Sequence, residues 1–463
     1  MKQHRTPFIK VSWGLILLFV AGMAVLQAMP EKVVKGDSKD PTGLVMVQLQ
    51  GEYLLGVASM LGSESEIATQ ASLLDIGTIG QRQRYMAFMI ALGEPELAKQ
   101  SALRMYVELD EQKMELTGQQ AKNQETIDQL ADGVLLPSDS ESLKDSLGWF
   151  GKLVEADEQQ REIMESSSAR KVFIVGGIML GIAFAATLGL VGLIILLVKT
   201  FCGSLNSGLV SGVPQHGIYA EVFALWLIYF IVLMSVAGIL SKTFAEDNAT
   251  LAMGLSLLAF FTSLTVLFWA RVRGISWNQI RTDIGWTRGG GFFKETLWGF
   301  AGYAMMLPIL GIGVILVLIL VLIQTLFTGG IGSDPFAGTS GGAHPIVLDI
   351  ANGGWQVRIL LVLLAAVAAP IIEETMFRGV LYRHLRTSTN KWGIALSIVG
   401  SVLITSFLFA AIHPQGWIAI PALMAIAIGM NLLREWRGTI LPSMIVHGVS
   451  NGLVTSMLII FLS

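Results

Sequence analysis

The sequence predicts an all-α protein, a polytopic membrane helical bundle of about nine spans carrying a soluble α-helical extracytoplasmic domain. Three observations lead there. Of 463 residues, 53% are hydrophobic and only 14% charged, and the mean hydropathy is +0.64, which is too apolar for a soluble chain of this length. Apolar runs long enough to cross a bilayer recur from Val172 to the C-terminus. Residues 30–170 differ from everything after them, being rich in Glu, Gln, Ser and Lys with apolar residues at helical spacing in 43–61 and 84–107.

Taken in order, residues 1–29 carry Lys2, His4, Arg5 and Lys10 ahead of an apolar run from Val11 to Met29, which reads as an N-terminal signal anchor or first transmembrane helix. The run is long for a signal-peptide core, and Leu26 suits poorly the small residue wanted before a cleavage point after Ala28, so a retained anchor is expected. Residues 30–170 then form the soluble helical domain. Within it the stretch Tyr85 to Leu109, with Ala87, Ala91, Ala98 and Ala102 around Gly93, suggests paired helices as in a tetratricopeptide unit, although one unit makes no array. Residues 171–250 hold linking transmembrane helices, and 251–463 hold the core. The spans read from hydropathy are 172–198, 218–240, 250–270, 296–327, 356–382, 393–412, 416–433 and 439–462, the 416–433 run being short and interrupted by Pro421.

Charge bias orients the bundle. With the basic N-terminus in the cytoplasm, the segments holding Arg271, Arg273, Arg281, Arg288 and Lys294, then Arg383, Arg386 and Lys391, then Arg434 and Arg437 all fall on the cytoplasmic side, and residues 30–170 lie outside. A bacterial plasma (inner) membrane is the expected location. The net charge of −3 and the lack of a basic run argue against a nucleic-acid partner. The lone Cys202 permits neither an intramolecular disulfide nor a thiolate metal cluster. The Gly-rich stretch 329–342 lacks the Gly-Lys-Ser/Thr ending of a phosphate loop and reads as an external linker.

Chemistry concentrates near the C-terminus. Glu373 and Glu374 sit in an apolar segment running from Ile359 to Val380, where an ionisable group costs roughly 2.5–3.5 kcal/mol and marks a functional site. Glu374 and Arg378 form an i, i+4 pair that lowers the cost of burying both. Glu373 is left without a charged partner within one turn of its own helix, which makes it the best general base candidate in the chain. Phe409 with His413, and His447 with Asn451, have the same i, i+4 spacing. His413 stands where Pro414 stops its helix, and His447 with Asn451 could supply two donors to one oxyanion. Each has a plainer reading: the glutamates as helix-packing groups, His413 as a helix-end interface residue, and the His447–Asn451 face as interhelical hydrogen bonding.

The ordered set Glu373-Glu374-Thr375-Met376-Phe377-Arg378, Phe409 to His413, and His447 to Asn451 resembles the CPBP (ABI) family, the type II CAAX prenyl endopeptidases and bacteriocin-processing enzymes. Ile284-Gly285-Trp286 is similar to the entry of that family's core, and the resemblance covers roughly 250–463. It implies an intramembrane endopeptidase of glutamic type that needs no cofactor or metal and acts on a peptide or protein substrate, lipidated or not. Glu373 would activate water with help from His413, while His447 and Asn451 would stabilise the oxyanion. Glu374, Arg378 and Phe409 would hold the site in shape. Two rivals are a zinc-dependent membrane metallopeptidase using His413, His447 and a glutamate, and a non-catalytic bacteriocin-immunity or scaffolding factor. The hydropathy shows no inverted repeat to favour a transporter. The resemblance also sets a structural condition. Counted from Thr389, Glu373 lies 16 residues back and His413 24 forward, a mismatch of about 12 Å at helical rise, so part of 384–398 must leave the helix.

Overall fold

The computed structural model describes residues 8–28, 41–62, 64–75, 78–134, 143–209, 213, 215–245, 248–328 and 346–462. The basic residues before Thr6 and the Gly-rich stretch 329–342 fall outside these. All regular structure among the described residues is helical. Ten of the helices are long and apolar enough to cross a membrane. The one beyond the nine counted from hydropathy is Leu44–Leu61, which lies inside the stretch read as soluble.

The chain divides into two compact units. One comprises Pro30–Met179, Gln324–Ala351 and Ile460–Ser463. Its helix Ile79–Ala91 opens on a capping box in which Thr78 and Gln81 satisfy each other's backbone N–H groups. Gly93, at φ 77°, turns the chain, and Pro95 begins the helix Pro95–Gln112. Ala87, Ala91, Ala98 and Ala102 are all buried, so the hairpin anticipated from their small size forms between these two helices. The next helix, Gly118–Ala131, is tied in by buried Gln83, whose amide donates to Gln120 O at 2.7 Å and Gln124 Oε1 at 3.3 Å.

The other unit comprises Met1–Met29, Leu180–Ile323 and Asn352–Ile459. Its first helix, Ile9–Ala28, packs along His216–Phe244 with Ile16 fully buried. The helix Trp355–Ser388, which bears the two glutamates, is packed edge-on by aromatics, Phe377 meeting Phe223 and Trp226 at 5.2 and 5.9 Å between ring centroids. A turn through 389–393, with Gly393 at φ 87°, leads to the helix Ile394–Ala411. This turn meets the condition set by the sequence. Glu373 to Ser388 is 15 rises and Ile394 to Ala411 is 17, leaving about 3 Å that side chains bridge. Ile420–Arg437 follows, its Pro421 placed in the first turn, where the missing N–H costs nothing, so this short span is unbroken. Leu441–Leu462 closes the bundle.

Two of the arginines used to orient the bundle hold carboxylates. Arg386 grips Glu435 through Nε and Nη2 at 2.9 and 3.0 Å, with the Tyr382 hydroxyl donating to the same carboxylate at 2.7 Å. Arg437 holds Glu295 in the same two-pronged way, at 2.9 and 2.7 Å.

Candidate active site

The glutamate helix is irregular where it matters. Two π-helical stretches, Leu364–Ala368 and Thr375–Leu381, flank the segment Ala369–Glu374. Such bulges concentrate at functional sites, and here each releases a carbonyl. The Ala369 N–H bonds Leu364 O, one residue further back than in an α-helix, leaving Ala365 O to accept the Asn451 amide at 3.0 Å. The Tyr382 N–H likewise bonds Phe377 O, leaving Arg378 O to accept from Arg434 Nε at 3.3 Å.

Glu374 is fully buried and doubly held. Its Oε1 accepts from Arg378 Nη1 at 3.0 Å and from His447 Nδ1 at 2.8 Å. Arg378 is equally buried, donates to Ala427 O at 3.4 Å, and lies over the Phe409 ring at 4.5 Å. That ring also stacks on His413 at 4.3 Å, while the Phe409 carbonyl takes His413 Nδ1 at 2.5 Å. Phe409 therefore orients the arginine and the imidazole together.

Glu373 makes no such bonds through Oε2. That oxygen faces His413 Nε2 at 3.7 Å and His447 Nε2 at 3.9 Å, beyond direct hydrogen bonding but within the span one water bridges. Both Nδ1 atoms lie against oxygen acceptors, a carbonyl for His413 and a carboxylate for His447. Each therefore carries its proton on Nδ1 and, when neutral, turns a bare Nε2 toward Glu373. The glutamate and His413 are the partly open members, at 18% and 19% side-chain exposure, above Glu374 at 0% and His447 at 5%.

Six of the seven residues singled out by the sequence are joined by these contacts, and Asn451 meets the same glutamate helix two turns earlier, at Ala365 O. His447 serves Glu374 through Nδ1, and Asn451 spends one amide N–H on Ala365 O, which leaves His447 Nε2 and the second Asn451 N–H outside these two bonds. Among the described residues no group of three or more His, Cys, Asp and Glu side chains is arranged to hold a metal ion.

Supporting residues came from outside the three motifs, two of them from the Ile284-Gly285-Trp286 stretch. Trp286 donates its indole N–H to Thr375 Oγ1 at 2.9 Å, beside Glu374. Arg434 reaches Asp283 O at 2.9 Å and also donates to Gly438 O. Gly285, at φ 83°, must be glycine, since a Cβ there would stand 2.4 Å from the Arg434 guanidinium. Nothing in the sequence distinguishes Arg434 from a topological charge, because its ligands are backbone carbonyls, two on other segments and one at the end of its own helix.

Residues 355–453 match the family model described as type II CAAX prenyl endopeptidase Rce1-like. Over these residues the chain is similar to Rce1-like domains. The match spans the glutamate helix through Asn451 and so contains every residue of the cluster. It supports intramembrane endopeptidase chemistry in general terms. No curated protein and no solved structure matches the chain.

Proposed function

We propose that this chain is a glutamic-type intramembrane endopeptidase in which Glu373 is the general base. The observation that carries the reading is the convergence of Glu373 Oε2 with the Nε2 atoms of His413 and His447, at 3.7 and 3.9 Å. A water held there gives one proton to Glu373 as its oxygen attacks the scissile carbonyl, and a second hydrogen to His413 Nε2 fixes its direction. The oxyanion that forms is met by His447 as imidazolium, its Nδ1–H held by Glu374, and by the second N–H of Asn451. Collapse of the intermediate expels the amine, which takes its proton from Glu373. Arg378 and Phe409 keep this geometry by holding Glu374 and both imidazoles. Peptide or protein segments at the membrane, with or without a lipid, are the proposed substrates, and a bacterial plasma membrane with residues 30–170 outside is the proposed setting.

The test is mass-spectrometric detection of cleavage in a mixed peptide set that includes prenylated C-terminal peptides. It uses purified wild type and Glu373→Gln, each with and without a zinc chelator. Chelator-resistant cleavage that falls by about 10²–10⁴-fold in the variant is the expected result. Chelator-sensitive cleavage overturns the metal-free mechanism in favour of zinc. Undiminished cleavage by Glu373→Gln removes the assigned base.

A further inference from the structure

The first helix, Ile9–Ala28, lies outside the matched domain, yet it touches the site. Gln27, in its last turn, donates its amide to His413 O at 2.7 Å and to Ala411 O at 3.4 Å. Ala411 ends the helix Ile394–Ala411, where the last four C=O groups have no donors of their own, and His413 lies in the turn just past it. Pro414, next in sequence, prevents the helix from continuing to supply them. A single amide from a distant part of the chain thus fixes the backbone from which the His413 ring is hung. The ring's own tether, Nδ1 to Phe409 O, sets its rotation but not the position of its Cα.

The same helix is fastened again near its other end. Trp13 donates its indole N–H to His384 Nε2 at 3.1 Å. Fourteen residues separate Trp13 from Gln27, about 21 Å of helix, so the first helix is pinned at two depths with Ile16 buried between. A signal peptide destined for removal has no use for either bond.

We infer that Gln27 is a positioning residue for His413, and that the N-terminal helix is a working part of the peptidase core rather than a membrane address alone. This deepens the peptidase reading and rests on His413 serving Glu373 in it. A loss of the Gln27 amide lets the 411–414 segment drift, and drifts of an ångström in a catalytic group slow the chemical step without weakening substrate binding.

The experiment compares full-length wild type, Gln27→Met, Gln27→Lys and Trp13→Phe in lipid nanodiscs. Methionine keeps the length and loses the donor, whereas lysine restores an N–H donor. Two readouts are taken: kcat and KM on the cleaved peptide, and the rate of diethyl pyrocarbonate acylation of His413 followed by mass spectrometry. Gln27→Met is expected to lower kcat about tenfold at unchanged KM and to speed acylation of His413, with Gln27→Lys restoring most of both. Trp13→Phe, which loosens the far end, is expected to lower thermal stability and leave both readouts as in wild type. Wild-type kcat and acylation in Gln27→Met overturn the inference, as does the same full pattern in Trp13→Phe, which would reduce the effect to helix docking. Should wild type cleave nothing, the peptidase reading fails, and should Glu373→Gln cleave normally, the base assignment fails; in either case the His413 acylation rates alone decide the Gln27 inference.

Discussion

Removing the charge of Arg378 tests whether Glu374 is part of a coupled unit or an incidental neighbour. In Arg378→Met the Glu374 carboxylate stays fully buried with His447 Nδ1 as its remaining partner, and breaking a buried pair from one side costs about 3–5 kcal/mol. Glu374→Met strands the guanidinium, left with Ala427 O at 3.4 Å and the Phe409 ring, at a similar cost. Neither stranded charge exists in the double variant. What it loses is the arginine's contact with Phe409 and the acceptor for His447 Nδ1, together about 2–4 kcal/mol. The two single losses sum to about 6–10 kcal/mol, so the cycle should return a coupling of about 2 kcal/mol or more, as expected for residues in one buried network. The assay is reversible unfolding of the four proteins in mixed micelles of SDS and a mild detergent, followed by tryptophan fluorescence. Single losses that add to within about 0.5 kcal/mol in the double variant would refute the coupled unit.

Three further outcomes follow from the same geometry. A Cβ at Gly448 would stand 2.6 Å from Ala366 O, so Gly448→Leu should cost about 1–3 kcal/mol or more by overpacking, and a thermal midpoint equal to wild type would show that the last helix is not so closely seated. Asn451→Leu leaves Ala365 O, freed by the first π-helical stretch, without its donor; a stability loss of about 1–2 kcal/mol in the micelle assay is expected, and none would mean that the carbonyl finds another partner. In the unit containing residues 30–179, burial holds the Asp128 carboxyl above its ordinary value against the opposing hydrogen bonds from Gln124 and Tyr106. An acid with a raised folded pKa gives stability that is full below its unfolded value of 3.8 and is lost as pH rises through the folded value. Asp128→Asn should therefore flatten part of the decline in thermal midpoint of the full chain above about pH 4, and superimposable wild-type and variant curves would count against it.

Much of the site was legible because its residues break the rules of their surroundings. Carboxylates, imidazoles and an amide within apolar helices are conspicuous against a background of Leu, Ile and Val, and i, i+4 spacing states which pairs share a face. Glu374 with Arg378, and Phe409 with His413, are joined by contacts between neighbouring turns of one chain segment. Other features could not be read that way. The π-helical stretches at 364–368 and 375–381 contain only ordinary helix formers apart from Gly379, and they exist because Asn451 and Arg434 reward the carbonyls they release. The helix Leu44–Leu61 has the length and hydropathy of a span, while the polar residues around it read as a soluble stretch.

The sequence by itself determined the class of structure, the apolar helices and the groups that cannot sit in them without partners, since the free energy of placing a side chain or a backbone N–H in hydrocarbon depends on local composition and length. It also set, through Pro414, a limit that the helix Ile394–Ala411 does not pass. The tertiary structure alone decided which partners those groups take: that His447 turns Nδ1 to Glu374 and Nε2 to Glu373, that Asn451 serves Ala365, and that Gln27, 386 residues before His413, holds its carbonyl. The physical reason is that a hydrogen bond is short and directional. Its partner is chosen by which helices meet at that depth, and the meeting is fixed by packing summed over the whole bundle rather than by any one segment.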